Sequence, residues 1–126
     1  MKEHARVLVV DDNAVIRKIA IMNLRRFGIE AEVAVNGREA VEKVANKKYD
    51  LILMDVAMPE LNGLRATELI RIDEADGERT PIVGVTASET RDRCMAAGMD
   101  DYIIKPPDYE RILRKWIPEY LIEKTG

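Results

Sequence analysis

The chain has 126 residues, 47 % hydrophobic and 34 % charged, which is enough for one domain with a core and too little for two. Its 23 acids nearly balance 20 bases, and a net charge of −3 excludes a basic sleeve for nucleic acid. A lone cysteine, Cys94, excludes an intrachain disulfide, and a lone histidine, His4, excludes both a His/Cys metal cluster and a Ser/His/Asp triad.

In chain order, Met1-Lys2-Glu3-His4-Ala5-Arg6 leads into an apolar run too short for a signal peptide or a membrane span, so a cytoplasmic protein is the default expectation. Five apolar or β-branched runs, at residues 7–10, 31–35, 51–54, 81–86 and 102–104, predict strands. The first, third and fourth are nearly continuous, as expected for strands buried on both faces. Between the first and second runs, Ile16, Ala20, Leu24 and Phe27 fall on one helical face, and Gly28 is a stop signal. Ala40, Val41, Val44 and Ala45 form a second stripe after Asn36-Gly37, and Leu61, Leu64, Leu69 and Ile70 a third. A fourth segment begins near Ser88 and closes at Gly98. Only residues 74–80 read as an extended loop. The last helix shows Tyr109, Ile112, Leu113, Trp116, Ile117 and Tyr120 at helical spacing, with a kink or break expected at Pro118. Five strands alternating with five helices read as an α/β fold: a doubly wound (βα)5 parallel sheet with helices on both faces.

Sites in such a sheet form beyond the carboxyl ends of the strands. Those ends carry Asp11-Asp12, Asp55, Thr86 and Lys105, while the second strand ends in Val35-Asn36 with nothing obviously chemical. Each residue also has a plainer reading. Asp11-Asp12-Asn13 suits a helix N-cap, Asp55 an ordinary loop, Thr86 any strand end, and Lys105 a solvated position. Met54 and Met58 are read as packing. Together the residues say more. Three carboxylates in one crevice repel unless a cation joins them, and Mg²⁺ takes carboxylate, backbone and water oxygens while leaving room for phosphate. With Lys105 as a second cation and Thr86 as a donor, the crevice suits a phosphoryl group, and one carboxylate suits a nucleophile that forms an aspartyl phosphate.

Four stretches then resemble, in order and at family spacing, the receiver domain of two-component response regulators, the CheY-like family. They are Val7-Leu8-Val9-Val10-Asp11-Asp12-Asn13, Leu53-Met54-Asp55-Val56-Ala57-Met58-Pro59 with Gly63, Val85-Thr86-Ala87, and Asp101-Tyr102-Ile103-Ile104-Lys105-Pro106. The resemblance covers essentially residues 6–122 of a single domain over 1–126. It implies a strand order of 2-1-3-4-5. It also implies Asp55 as phosphoacceptor, with Mg²⁺ held by Asp12 directly, by Asp11 mainly through water, by Asp55 and by the backbone carbonyl of Ala57. Lys105 matches the lysine that pairs with the acceptor or its phosphoryl group, Thr86 the hydroxyl that bonds a phosphoryl oxygen, and Tyr102 the aromatic switch position. The Lys105–Pro106 bond is usually cis in the family.

Two features depart from the common pattern. Pro107 stands where a larger apolar residue is common, so the start of the last helix is expected to differ. Ala57 and Ser88 occupy positions that tune phosphoryl lifetime, and Ala57 offers no polar side chain to orient water. The implied phosphoryl donor is a histidine kinase or a histidine phosphotransfer protein, and the receiver assists its own phosphotransfer and autodephosphorylation. The implied output is a downstream protein bound through the fourth helix, fifth strand and fifth helix, where Glu89, Arg91, Asp92, Arg93 and Arg111 lie. No direct nucleic-acid or membrane partner is expected, and the state is monomer or phosphorylation-dependent homodimer. The chain is then either a single-domain regulator or the receiver of a hybrid kinase. A phosphohydrolase resembling haloacid dehalogenases fits less well, because Ala57 stands where a second acid is needed and no cap is inserted. A pseudo-receiver would lack an acid or the lysine, and neither GxGxxG nor a P-loop is present.

Overall fold

Continuous apolar strands need a layer of helices on each side, and that arrangement is found in the computed structural model, which describes residues 5–58, 61–75, 77–87 and 91–119. The elements are β1 Arg6–Val10, α1 Ala14–Arg26, β2 Glu30–Ala34, α2 Gly37–Asn46, β3 Leu51–Asp55, α3 Gly63–Asp73, β4 Ile82–Thr86, α4 Arg91–Ala97, β5 Asp101–Ile104 and α5 Tyr109–Trp116. All four strand pairings are parallel and the order is β2-β1-β3-β4-β5, as the resemblance implied.

The period of two along each strand sorts its side chains into two cores. Val7, Val9, Leu51, Leu53, Val83 and Val85 face α1 and α5, where they meet Ala20, Leu24, Ile112 and Leu113. Leu8, Val10, Ile52, Met54 and Ile82 face the other way, onto Ala40 of α2, Ala66 and Ile70 of α3, and Cys94 of α4. Leu8, Leu24, Leu51 and Leu113 are wholly buried, each worth about 1.5–3 kcal/mol of apolar transfer.

Helix ends follow local chemistry. Asn13, Asn36, Asn62 and Asp108 cap α1, α2, α3 and α5 with side-chain oxygens that accept backbone N–H groups of the first turn. Gly28 takes φ 76° just past the cap residue Phe27, a conformation that ends α1 at little steric cost for glycine alone. The proline-imposed break lies where the sequence placed it: α5 stops at Trp116 and Ile117 leaves helical geometry, φ −140° and ψ 53°. Tyr120 lies outside the described residues, as do His4, Ser88 and Glu89, so the start expected for the fourth helix near Ser88 is not described.

Three expectations need correction. Ala45 is exposed rather than part of the buried stripe of α2, because that stripe turns toward solvent after Val44. Leu61 precedes α3 instead of belonging to it, since Asn62 caps the helix. Despite Pro107, α5 begins in the ordinary way, with Asp108 Oδ1 accepting from the Arg111 N–H at 3.1 Å.

Candidate functional site

The chain reverses its winding direction between β1 and β3, and the residues past the carboxyl ends of these central strands meet in one crevice. Asp11 directly follows β1, and its N–H still bonds the Ala34 carbonyl of β2 at 3.1 Å. Asp55 and Thr86 are the last residues of β3 and β4. Lys105 follows β5, its N–H donating to the Thr86 carbonyl at 2.7 Å, and the Lys105–Pro106 bond is cis. Asp11, Asp55 and Thr86 are buried, Lys105 is partly exposed and Asp12 is exposed at the rim.

One carboxylate oxygen from each of Asp11, Asp12 and Asp55 can be chosen so that all three lie within 4.8 Å of one another. The Lys105 ammonium stands 3.5 Å from Asp55 Oδ1 and 3.6 Å from Asp11 Oδ2. A set of hard oxygen donors open to solvent on one side suits a small divalent cation that keeps some of its water, as Mg²⁺ does. The Ala57 N–H donates to Asp55 Oδ1 at 3.3 Å, so the loop that carries the Ala57 carbonyl folds back over the Asp55 carboxylate.

Local sequence explains the geometry. The capping alternative for Asp11-Asp12-Asn13 is realised by Asn13 alone, whose Oδ1 accepts from Val15 at 2.9 Å and Ile16 at 3.2 Å. Asp11 is left to face the crevice, with Oδ1 accepting the Asn13 N–H at 2.9 Å. Gly63 allows α3 to start against the end of β3: a Cβ there would lie 2.0 Å from the Asp55 carbonyl oxygen.

Burial pushes the Asp55 carboxyl above its ordinary range, and the nearby Asp11 charge pushes it the same way, while Lys105 pulls it back only partly. Burial, and then the Asp11 charge, also raise the Tyr109 phenol. The crevice therefore holds more negative charge than its own cation neutralises.

Tyr102 is half-buried against the core shared by α3 and α4, paired with Gly84 of the neighbouring strand, two residues before Thr86. Arg91, Asp92, Arg93 and Arg111 are exposed. Two features were missed by the sequence reading. Val15, Ile19 and Met22, spaced i, i+4, i+7, form an exposed apolar stripe on α1, a signal present in the sequence but overshadowed by the buried face. Alongside it, an apolar cavity of about 470 Å³ runs from Ile16 and Ile19 to Pro106, Pro107 and Tyr109, and reaches Asp11 and Lys105. The second is Arg17, whose Nη1 donates to the Asp11 carbonyl at 2.8 Å.

Fold and crevice together define an α/β protein with an acidic, lysine-flanked site at the carboxyl edge of a doubly wound sheet. A family model described as "Response regulator receiver domain" matches residues 7–116, and the chain belongs to that family. Over 109 residues it is 44 % identical to "Hybrid signal transduction histidine kinase G" of Dictyostelium discoideum, an alignment covering 82 % of this chain. The chain spans only 3 % of that kinase's length. Among solved structures, the receiver domain of sensor histidine kinase PA1611 from Pseudomonas aeruginosa PAO1, with magnesium coordinated in its active site cleft, superposes with a TM-score of 0.82 at 36 % identity, covering 91 % of this chain and 98 % of that one. The receiver domain of Saccharomyces cerevisiae Ssk1, solved with the histidine phosphotransfer protein Ypd1, gives a TM-score of 0.81 at 27 % identity, covering 96 % and 92 %. Among the described residues no helix is long and apolar enough to cross a membrane.

Proposed function

We propose that this chain is a phosphoaccepting receiver of a two-component system that takes a phosphoryl group from a phosphohistidine onto Asp55. The observation that carries the reading is the convergence of three carboxylates within 4.8 Å beside Lys105, in a chain of the receiver family. Asp11, Asp12, Asp55 and the Ala57 carbonyl are the residues that would hold Mg²⁺, which when bound neutralises charge on the transferring phosphoryl oxygens.

The chain's own groups do the rest. An Asp55 oxygen forms the new P–O bond as the P–N bond of the donor breaks, and the imidazole leaves with its electron pair. Lys105, already 3.5 Å from Asp55, compensates the charge carried by the arriving group. The Thr86 hydroxyl, at the neighbouring strand end, bonds one phosphoryl oxygen. Ala57 gives water no side-chain guide, so autodephosphorylation depends on the crevice itself. The donor, a histidine kinase or a histidine phosphotransfer protein, covers the apolar stripe of α1, since that surface adjoins the crevice mouth.

Output follows from the charge change at Asp55, from about −1 to about −2 on phosphorylation. Thr86 moves toward the phosphate, Tyr102 turns into the space it leaves, and the surface of α4, β5 and α5 changes for a downstream protein or a second copy of the chain. The test is intact mass after acetyl phosphate with Mg²⁺. The wild type gains one phosphoryl group and Asp55→Asn gains none; an undiminished gain in the variant rejects the assignment. For the output, beryllofluoride should shift amide resonances along α4, β5 and α5 in the wild type but not in Thr86→Ala. Shifts confined to the crevice refute the coupling.

A further inference from the structure

Asp12 raises a physical problem. It is the exposed member of the acidic triad, yet a metal ligand has to be held in place before the metal arrives, or its ordering cost is taken from the affinity. Its side chain gains nothing from burial, so the restraint has to come through the backbone.

Both peptide groups flanking Asp12 are bonded. The Asp11 carbonyl, in the peptide before Asp12, accepts from Arg17 Nη1 at 2.8 Å. The Asn13 N–H, in the peptide after it, donates to Asp11 Oδ1 at 2.9 Å. Arg17 also donates its backbone N–H to the Asn13 carbonyl at 3.0 Å, so one residue of α1 grips carbonyls on both sides of Asp12. With both peptide planes fixed, φ and ψ of Asp12 are fixed, and its exposed carboxylate is aimed by the main chain.

Charge reinforces the geometry. Ionised Asp11, Asp12 and Asp55 sum to −3, Lys105 brings this to −2, and Arg17 to −1. Among the described residues the Arg17 guanidinium bonds that carbonyl and forms no ion pair with a carboxylate, so its charge offsets the triad's repulsion from behind without occupying a donor atom.

We infer that Arg17 is a positioning residue of the crevice: it fixes the Asp11–Asp12 peptide and supplies a rear positive charge, and thereby sets the affinity for the divalent cation. The inference rests on the phosphoacceptor reading, with Asp12 as a metal ligand. Partners one shell out from a metal typically change its affinity 10–100-fold when removed.

The test is calorimetric titration of chelator-treated protein with MgCl₂, paired with thermal unfolding in EDTA. The chains compared are wild type, Arg17→Met, Arg17→Gln, Arg17→Lys and Asp12→Asn. Arg17→Met is expected to melt a few degrees below the wild type in EDTA, since the carbonyl bond and the rear charge are lost, and to bind Mg²⁺ about tenfold more weakly. Arg17→Lys, which keeps the charge, should recover part of the affinity, and Arg17→Gln, which keeps a donor without charge, should recover less. Wild-type affinity in both Arg17→Met and Arg17→Gln overturns the inference while leaving the metal reading intact. So does a loss of affinity that only tracks an equal loss of stability in EDTA across the Arg17 series. A wild type that binds no Mg²⁺, or an Asp12→Asn chain that binds it as well as wild type, overturns the metal reading and this inference with it.

Discussion

Replacing Asp55 by asparagine removes a charge but keeps the shape of the side chain, and so isolates what the buried carboxylate costs the folded state. In the crevice Asp55 repels Asp11 across no more than 4.8 Å and attracts Lys105 across 3.5 Å. At an effective dielectric of about 20, the repulsion is about 3 kcal/mol or more and the attraction about 5 kcal/mol, so the pair energies largely offset. The remainder is the loss of hydration of a buried carboxylate, several kcal/mol for a fully enclosed ion and less in a crevice open on one side. Burial heads the causes that hold the Asp55 carboxyl above its ordinary value, which fixes the sign: the folded state disfavours the ionised form. Asp55→Asn should therefore stabilise the metal-free protein at neutral pH by about 1–2 kcal/mol, a rise of roughly 3–8 °C in the melting midpoint.

The same argument fixes the pH dependence. A carboxyl whose folded value is raised contributes most below its unfolded value of 3.8, and that contribution disappears as pH rises through the raised folded value. The advantage of Asp55→Asn is thus full near pH 7.5, shrinks on acidification and vanishes below 3.8. Urea unfolding of both chains in EDTA, at pH 7.5 and at the lowest pH where both remain folded, measures this. Millimolar Mg²⁺ should then raise the wild type more than the variant, because only a metal bound to the folded state stabilises it. A variant less stable than wild type at pH 7.5, or an offset equal at both pH values, refutes the reasoning.

Gly63→Ala should destabilise by about 2 kcal/mol or more and weaken Mg²⁺ binding in the same titration, because the new Cβ lies 2.0 Å from a backbone oxygen of Asp55 that cannot retreat. Arg71→Met should cost about 3–5 kcal/mol in urea unfolding. Arg71 donates to Gly98 O, Glu74 Oε2, Thr80 O and Asp100 Oδ2 at 2.7–2.9 Å and is largely buried, so its loss takes the pairing cation from enclosed Glu74 and leaves Asp100 with Arg79 alone. Asn13→Ala should cost about 1 kcal/mol, the usual value of an N-cap, and leave phosphorylation by acetyl phosphate in place, since its side chain bonds α1 rather than the crevice.

The parts of this molecule that could be read from its sequence are those in which position along the chain becomes position in space by a fixed rule. A run such as Leu51, Ile52, Leu53 and Met54 has to be a strand covered on both sides, because every second residue faces a different core. Once the runs are strands of one parallel sheet, their carboxyl ends share an edge, so Asp11, Asp55, Thr86 and Lys105 become neighbours although 94 positions separate the first from the last. What stayed hidden depends on the reach of a single side chain. Residues 74–80 read as an extended loop, and the two ends of that segment, Glu74 and Thr80, are in fact pinned by Arg71, through a guanidinium whose other two partners, Gly98 and Asp100, lie in a second, distant stretch. No periodicity encodes such a bond. Arg17 is the same case at the crevice. Six positions from Asp11, it reads as one more cation on a helix. Its role comes from a turn that Asn13 caps, which brings the first full turn of α1 back over the carbonyl it has just left. Motif residues mark where a crevice forms, and in this chain the cation that reaches its backbone from behind, Arg17, bears on how firmly its rim is held.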